Sequence, residues 1–148
     1  RCKENIVNAD GNSKTNIMRV VPLMLNISSQ FRAKFSLIKN PSALTVGGVS
    51  INPATDIGNF TSSAQLSAIE YNTTATALTG GETIATFFSG DDDGQNLMLE
   101  EIFRYNREFL TRPISNPTGD SGDILTLAVE SVADNSNTVN GSITWGER

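Results

Sequence analysis

The chain contains no histidine. Its absence removes the usual general base near neutral pH and the commonest metal ligand. Every Ser-His-Asp or Cys-His arrangement goes with it. There is one cysteine, Cys2. No intramolecular disulfide can form, so stability must come from packing or association rather than a disulfide scaffold. Long apolar runs are also missing. The longest, from Val20 to Leu25, contains Pro22 and falls far short of the ~18 residues of a membrane-spanning helix. Positive charge is scarce, with 11 Lys and Arg against 16 Asp and Glu, a net charge of −5. Nucleic-acid binders concentrate Lys and Arg, so this balance argues against phosphate recognition. The one basic cluster, Arg104, Arg107 and Arg112, is interleaved with Glu100, Glu101 and Glu108. It reads as a solvated face of mixed charge.

Small polar residues take the place of what is missing. Asn, Ser and Thr number 15 each. They suit strands, turns and wet surfaces better than helix interiors. The 148 residues match one domain with one core. Residues 8–16 are almost all turn formers, so 1–16 is expected to be an N-terminal arm or loop and 17–148 a single domain. The chain opens Arg-Cys-Lys and reads as a fragment or processed product.

Strand patterns dominate. Residues 17–27 are apolar enough for a strand, with Pro22 pointing to an edge or a bulge. Phe31, Ala33, Phe35 and Leu37 alternate with Arg32, Lys34 and Ser36. Residues 44–51 hold Gly47-Gly48, which fits a short strand, a bulged strand or a hairpin. Residues 66–76 have a β pattern. Gly80-Gly81 then signals a hairpin into a strand over 83–88. Ile124, Thr126, Ala128 and Glu130 oppose Leu125, Leu127, Val129 and Ser131, and residues 139–145 form the last strand. Only 95–110 has helical spacing, through Leu99, Ile102, Phe103, Asn106 and Leu110, with Glu100 four residues before Arg104. The fold expected is all-β: an antiparallel β-sandwich, jelly-roll-like, with or without one short helix near residues 96–109.

Chemistry-bearing patterns are few. Asp91, Asp93 and Gln95 place oxygens at alternate positions beside a turn, as a calcium loop does, but Gly94 and the residues beyond it depart from that pattern. A solvated hairpin tip is the plainer reading. Asp120 and Asp123 fit turns. A glycosidase needs two carboxylates ~5–9 Å apart with one raised pKa. Glu100 and Glu101 diverge on a helix. Glu70 and Glu82 would meet only across a hairpin, and surface charge explains all four. Trp145, Tyr71, Tyr105 and Phe87 would make a sugar-stacking platform if they converged, or core if they did not. Sequons stand at Asn26, Asn59, Asn72 and Asn140, as chance allows in so polar a chain. No catalytic, cofactor or metal residue is assigned, and the binding residues stay unknown. Turn residues cluster in 52–64, 89–96 and 111–122, the candidate binding loops.

Three segments carry a resemblance. Ala64–Thr86, with its Thr79-Gly80-Gly81-Glu82-Thr83-Ile84-Ala85 core, resembles a block common in tailed-phage virion proteins. Gly122–Val129 resembles the "D-LTL" strand of the same group, and Gly141–Glu147 its closing "S-x-x-W-x-E" strand. The Phe31–Phe35 strand followed by Asn40-Pro41 also fits. Residues 95–117 depart from the pattern. The resemblance implies the C-terminal β-sandwich of a phage fibre or other exposed virion protein, often trimeric, facing a host receptor, without catalytic residues.

The expected function is therefore a non-enzymatic structural or host-recognition domain on the surface of a bacteriophage particle. Its expected partners are further copies, with a trimer favoured, other virion proteins, and a host surface glycan or protein. No nucleic acid, membrane span or cofactor is expected. Two other readings stand beside it: a capsid-decoration or extracellular filament subunit, with residues 1–16 docking on a neighbour, and a carbohydrate-binding module.

Overall fold

The computed structural model describes residues 19–62, 69–99, 110–111, 123–132 and 136–147. The arm expected over 1–16 lies outside them. Twelve strands are described: β1 (Arg19–Ser29), β2 (Ala33–Lys39), β3 (Ala43–Val46), β4 (Val49–Ile51), β5 (Thr61–Ser62), β6 (Glu70–Tyr71), β7 (Ala75–Thr79), β8 (Glu82–Ser89), β9 (Asp93–Met98), β10 (Leu110–Thr111), β11 (Leu125–Ser131) and β12 (Val139–Glu147). All pairings are antiparallel. The architecture is an all-β sandwich.

In the first sheet, β1 lies between β12 on one side and β9 and β10 on the other. In the second, β2 lies between β11 and β8. Three strands of the first sheet are continuous with those of the second: β1 with β2, β9 with β8, β12 with β11. The two sheets are thus one three-stranded ribbon folded over at a corner, as jelly rolls are wrapped. Folding brings Leu25 and Ile27 of β1 against Phe35 and Leu37 of β2, with Ala33 and Leu99 completing a buried cluster. The alternation read over 31–37 holds from Ala33 onward, where Ala33, Phe35 and Leu37 are at most 1% exposed, while Phe31 precedes β2 and is half-buried.

The corner is laced by hydrogen bonds. Gln30 N–H donates to Thr138 O (3.0 Å), Asp92 N–H to Gln30 O (3.1 Å) and Val132 N–H to Arg32 O (3.0 Å). Asn137 substitutes for a strand partner: its Oδ1 accepts Phe31 N–H (2.9 Å) and its Nδ2 donates to Phe31 O (3.0 Å). Beneath, the buried hydroxyls of Ser29 and Ser89 hydrogen-bond to each other. A buried polar group without such a partner is costly, so the pair is self-consistent.

At the other end the ribbon kinks into a third sheet, β4–β3–β7. Gly80-Gly81 is not the hairpin expected from the dipeptide. β7 pairs with β3 while β8 pairs with β2, so the two glycines carry one strand from one partner to the next. A Cβ at Gly81 would meet Lys39 O at 2.8 Å, and its φ of +89° suits glycine. The hairpin is at Gly47-Gly48 instead. Val46 pairs with Val49 across two residues of positive φ, +58° and +81°, the type I′ pattern.

Of the two readings of Pro22, edge or bulge, the structure shows the bulge. β1 is a central strand, not an edge, but Pro22 falls between the segments paired with β10 and β9, and a bulge at Leu23 follows it. The extra residue shifts the alternation by one. Val20 and Pro22 before it and Leu25 and Ile27 after it are all buried.

The β pattern read over 66–76 is broken in two, with β6 and β7 separated by a turn at Asn72. Residues 93–98 form β9, so the helical spacing read over 95–110 does not begin there. Leu97 packs on the core and Met98 is exposed, a strand period set by pairing with β1, while the buried Leu99 that follows is helical. Residues 100–109 lie outside the described ones.

Candidate functional site

Among the described residues β11 and β12 end the second and first sheets, and they lie on the same flank of the folded ribbon. Between them runs a groove of about 790 Å³. Its walls include consecutive residues of both strands, 125–129 and 139–143. Side chains of a strand alternate between faces, so only a void along the backbone edges meets neighbours in a row. The groove extends from Val129 and Val139 near the corner to Val20 and Trp145 at the far end. There Phe60, Ile69 and Tyr71 join its wall.

The floor is apolar. Leu125, Leu127, Val139 and Ile143 pack on the central cluster yet stay half-buried, and Val129 is 45% exposed. Their counterparts in the central strands, Phe35 and Leu37, are closed off. Gly141 stands against Leu127 across the groove. A Cβ there would sit 2.6 Å from Leu127 Cδ2, so the glycine lets the leucine bridge the two sheet edges. Among the described lining residues Glu70 alone is charged.

The aromatic platform read from the sequence is half assembled. Trp145 and Tyr71 reach this groove, and Phe60 joins them. Phe87 packs against the buried cluster instead, because β8 aligns it with Phe35. Tyr105 lies outside the described residues. Glu70 and Glu82 do not converge through a shared pair of strands: Glu70 stands opposite Ser62, and Glu82 opposite Lys39. Glu100, Glu101, Glu108, Arg104, Arg107 and Arg112 lie outside the described residues, as does Asp120.

The Asp91–Asp93 run serves the corner. Asp91 Oδ1 accepts Arg32 N–H (3.0 Å), and Asp92 takes a left-handed φ of 51°. Asp93 already opens β9, opposite Ser29. Among the described residues no three acidic, His or Cys side chains gather as a metal centre would require. Asp123 orders the kink: Asn40 Nδ2 donates to its Oδ1 (3.0 Å), and Lys39 Nζ stands 3.7 Å from its Oδ2.

The candidate loops separate. Of 89–96, only 90–92 is turn; the rest is strand. It belongs to the corner, whereas 52–60 is tied to the turn after β6 by Asn72 Nδ2 donating to Asn59 O (2.6 Å). Residues 63–64 and 112–122 are outside the described ones. Among the sequons, Asn72 is committed to its own turn, its Oδ1 accepting the N–H groups of Thr74 and Ala75, both 2.9 Å. Asn26 Nδ2 donates to Ser142 Oγ (3.3 Å) across β1 and β12. Asn59 and Asn140 are exposed.

Sequence reasoning missed the groove itself. Its signal was the apolar row of β11 continuing to Val129, beside a last strand whose inward positions are Val139, Gly141 and Ile143. Compared with family models, curated proteins and solved structures, the chain has no match in any of the three.

Proposed function

We propose that this chain is a non-enzymatic structural or host-recognition domain on the surface of a bacteriophage particle, as part of a fibre or another exposed protein. One observation carries the reading. The two C-terminal segments that resemble phage virion proteins, Gly122–Val129 and Gly141–Glu147, supply β11 and β12, which flank the apolar groove. The resemblance and an apolar groove of about 790 Å³ thus fall on the same two strands. Such a surface suits association with a neighbour or a receptor. A trimer is the favoured assembly, and the ligand is a host surface glycan or protein.

A chain without histidine, and with the groove's one described charge at Glu70, offers no acid–base pair there. Binding is the chemistry such a groove performs. A second reading, a capsid-decoration or filament subunit, is favoured by β11 and β12 standing, among the described residues, at the ends of their sheets, since sheet edges recruit further chains.

The test is mass spectrometry of particles purified from a culture that produces the chain, followed by surface proteolysis of the intact particles. The chain is expected to co-purify with the particle and to be cleaved from outside. Its absence from purified particles overturns the virion reading.

A further inference from the structure

We propose that the outer face of the first sheet, across β9, β1 and β12, binds a neutral glycan, seated in a depression over Ser28 and Gly94. The inference goes beyond the virion reading and does not depend on it.

Leu25 and Ile27 of β1 turn inward, so the residues between them turn out, and strand pairing aligns their neighbours. Asn96, Asn26 and Ser142 stand in one row across the three strands, and Gly94, Ser28 and Asn140 stand in the next. These six residues line a cavity of about 360 Å³, at the small end of the range for ligand sites. Met98, Met24 and Thr144 continue the face beyond it. None of these side chains carries a charge, in a chain of −5. Gly94, Asn96, Asn140 and Ser142 are exposed, and Met98 is 57% exposed.

Gly94 has no backbone or packing reason to be glycine. Its φ is not positive, and an added Cβ would sit 3.8 Å from Ser28 Cβ, an ordinary contact. Gly81 and Gly141, by contrast, are held to glycine by atoms under 3.0 Å away. Glycine inside a strand weakens it, and marks a bulge, a bend or the close approach of a ligand. β9 pairs with β1 over 93–98 without a shift of register, so no bulge accounts for it. What the missing side chain leaves is the depression. Asparagine is likewise depleted in strands, yet three asparagines surround this one spot. Asn26 Nδ2 donates to Ser142 Oγ (3.3 Å). Among the described residues the carboxamides of Asn96 and Asn140 have no hydrogen-bond partner.

The donor set selects the occupant. A carboxamide offers two N–H donors and an acceptor oxygen in one plane, whereas a carboxylate only accepts and an ammonium only donates. A sugar hydroxyl both donates and accepts, so neighbouring hydroxyls on a ring satisfy both roles of one asparagine. Their C–H groups then lie over bare Gly94. Nucleic acid would require Lys or Arg, and the face has neither. A protein partner would require anchors such as Trp, Tyr or Arg, which are also missing from it. Anionic sugars would meet an acidic chain with no cation on this face. An uncharged polyol is the ligand whose charge matches.

The test screens the full chain on an array of neutral hexose and N-acetylhexosamine oligosaccharides beside sialylated and uronic-acid ones. The tightest neutral binder is then titrated calorimetrically. Neutral oligosaccharides should bind and acidic ones should not. Gly94→Leu fills the depression and should abolish binding, with an unchanged circular dichroism spectrum. Asn96→Ala and Asn140→Ala should each weaken binding about five- to tenfold, the scale of one lost hydrogen bond. Thr86→Leu, exposed on the second sheet, should leave it unchanged. An array without a neutral binder overturns the proposal, as does binding confined to acidic sugars. So does neutral binding that survives Gly94→Leu and both asparagine variants, or that Thr86→Leu weakens equally. If Gly94→Leu fails to fold, Gly94→Thr replaces it under the same criteria. Absence of the chain from virus particles would overturn the virion reading and leave all these outcomes in force.

Discussion

Asn40 and Ile124 exchange two hydrogen bonds across the kink. Asn40 N–H donates to Ile124 O (2.8 Å), and Ile124 N–H donates to Asn40 Oδ1 (2.8 Å). One asparagine thereby acts as both members of a strand pair and docks the start of β11 on the end of β2. Its φ of 49° lies in the left-handed region, which asparagine tolerates better than most residues. Asn40→Ala loses the side-chain acceptor and strains the backbone, so it should cost about 2–3 kcal/mol in urea unfolding. Asn40→Gly relieves the backbone and should cost less. Equal losses would show that the left-handed conformation contributes nothing.

The two glycine pairs should respond differently to alanine. Gly47 has nothing within 4 Å of an added Cβ, so Gly47→Ala should cost only the left-handed penalty, about 1 kcal/mol. At Gly81 the Cβ meets Ile38 Cγ2 at 2.7 Å and the Lys39 carbonyl oxygen at 2.8 Å. Backbone cannot step aside as a side chain does, so Gly81→Ala should cost at least about 2 kcal/mol more. Thermal melts of the two variants check the order. Equal melting temperatures would mean that the kink relaxes freely.

Two ion pairs among the described residues also separate. Lys34 and Glu130 pair at 3.2 Å on an open surface, with side chains 40% and 71% exposed. Glu130→Gln should change stability by less than about 0.5 kcal/mol. Asp123 is 16% exposed, lies 3.7 Å from Lys39 and accepts from Asn40. Asp123→Ala should cost about 1–2 kcal/mol, because Asn40 Nδ2 loses its acceptor and Lys39 its ion-pair partner at a part-buried site. Chemical denaturation at low and high salt measures both. A larger loss at Glu130 would reverse the assignment.

Phenylalanine position matters more than phenylalanine identity. Phe35 is 1% exposed at the centre of the cluster, and Phe88 is 63% exposed on the outer face. Phe35→Ala should cost about 3–5 kcal/mol, whereas Phe88→Ala should be near neutral. Denaturation midpoints check the contrast. A mild effect at Phe35 would mean that the groove collapses to fill the cavity.

Much of the sandwich is legible in single strands. The alternation of Phe31 to Leu37, the row Leu125, Leu127 and Val129, and the closing strand to Trp145 each record one face turned inward. Pairing is not so recorded. Gly80-Gly81 has the composition of a hairpin because it must adopt positive φ, but positive φ serves a kink as well as a turn. Gln95 to Met98 carries part of a helical spacing, yet β1 offers it a complete ladder, and the ladder prevails. The groove was less visible still. It depends on two edges, 125–131 and 139–147, lying on one flank, and no local pattern states which edge of a strand is left open.

The amino-acid sequence by itself determined that the protein is an acidic β-sandwich without histidine chemistry, since composition and period-two alternation are local properties of the chain. Only the tertiary structure decided that one ribbon folds double at the Gln30 corner, that Asp91 and Asp123 order the backbone, and that β11 and β12 leave an apolar groove between them. Those outcomes depend on which strands meet, and contacts between residues a hundred positions apart are settled by packing and hydrogen-bond satisfaction rather than by local propensity.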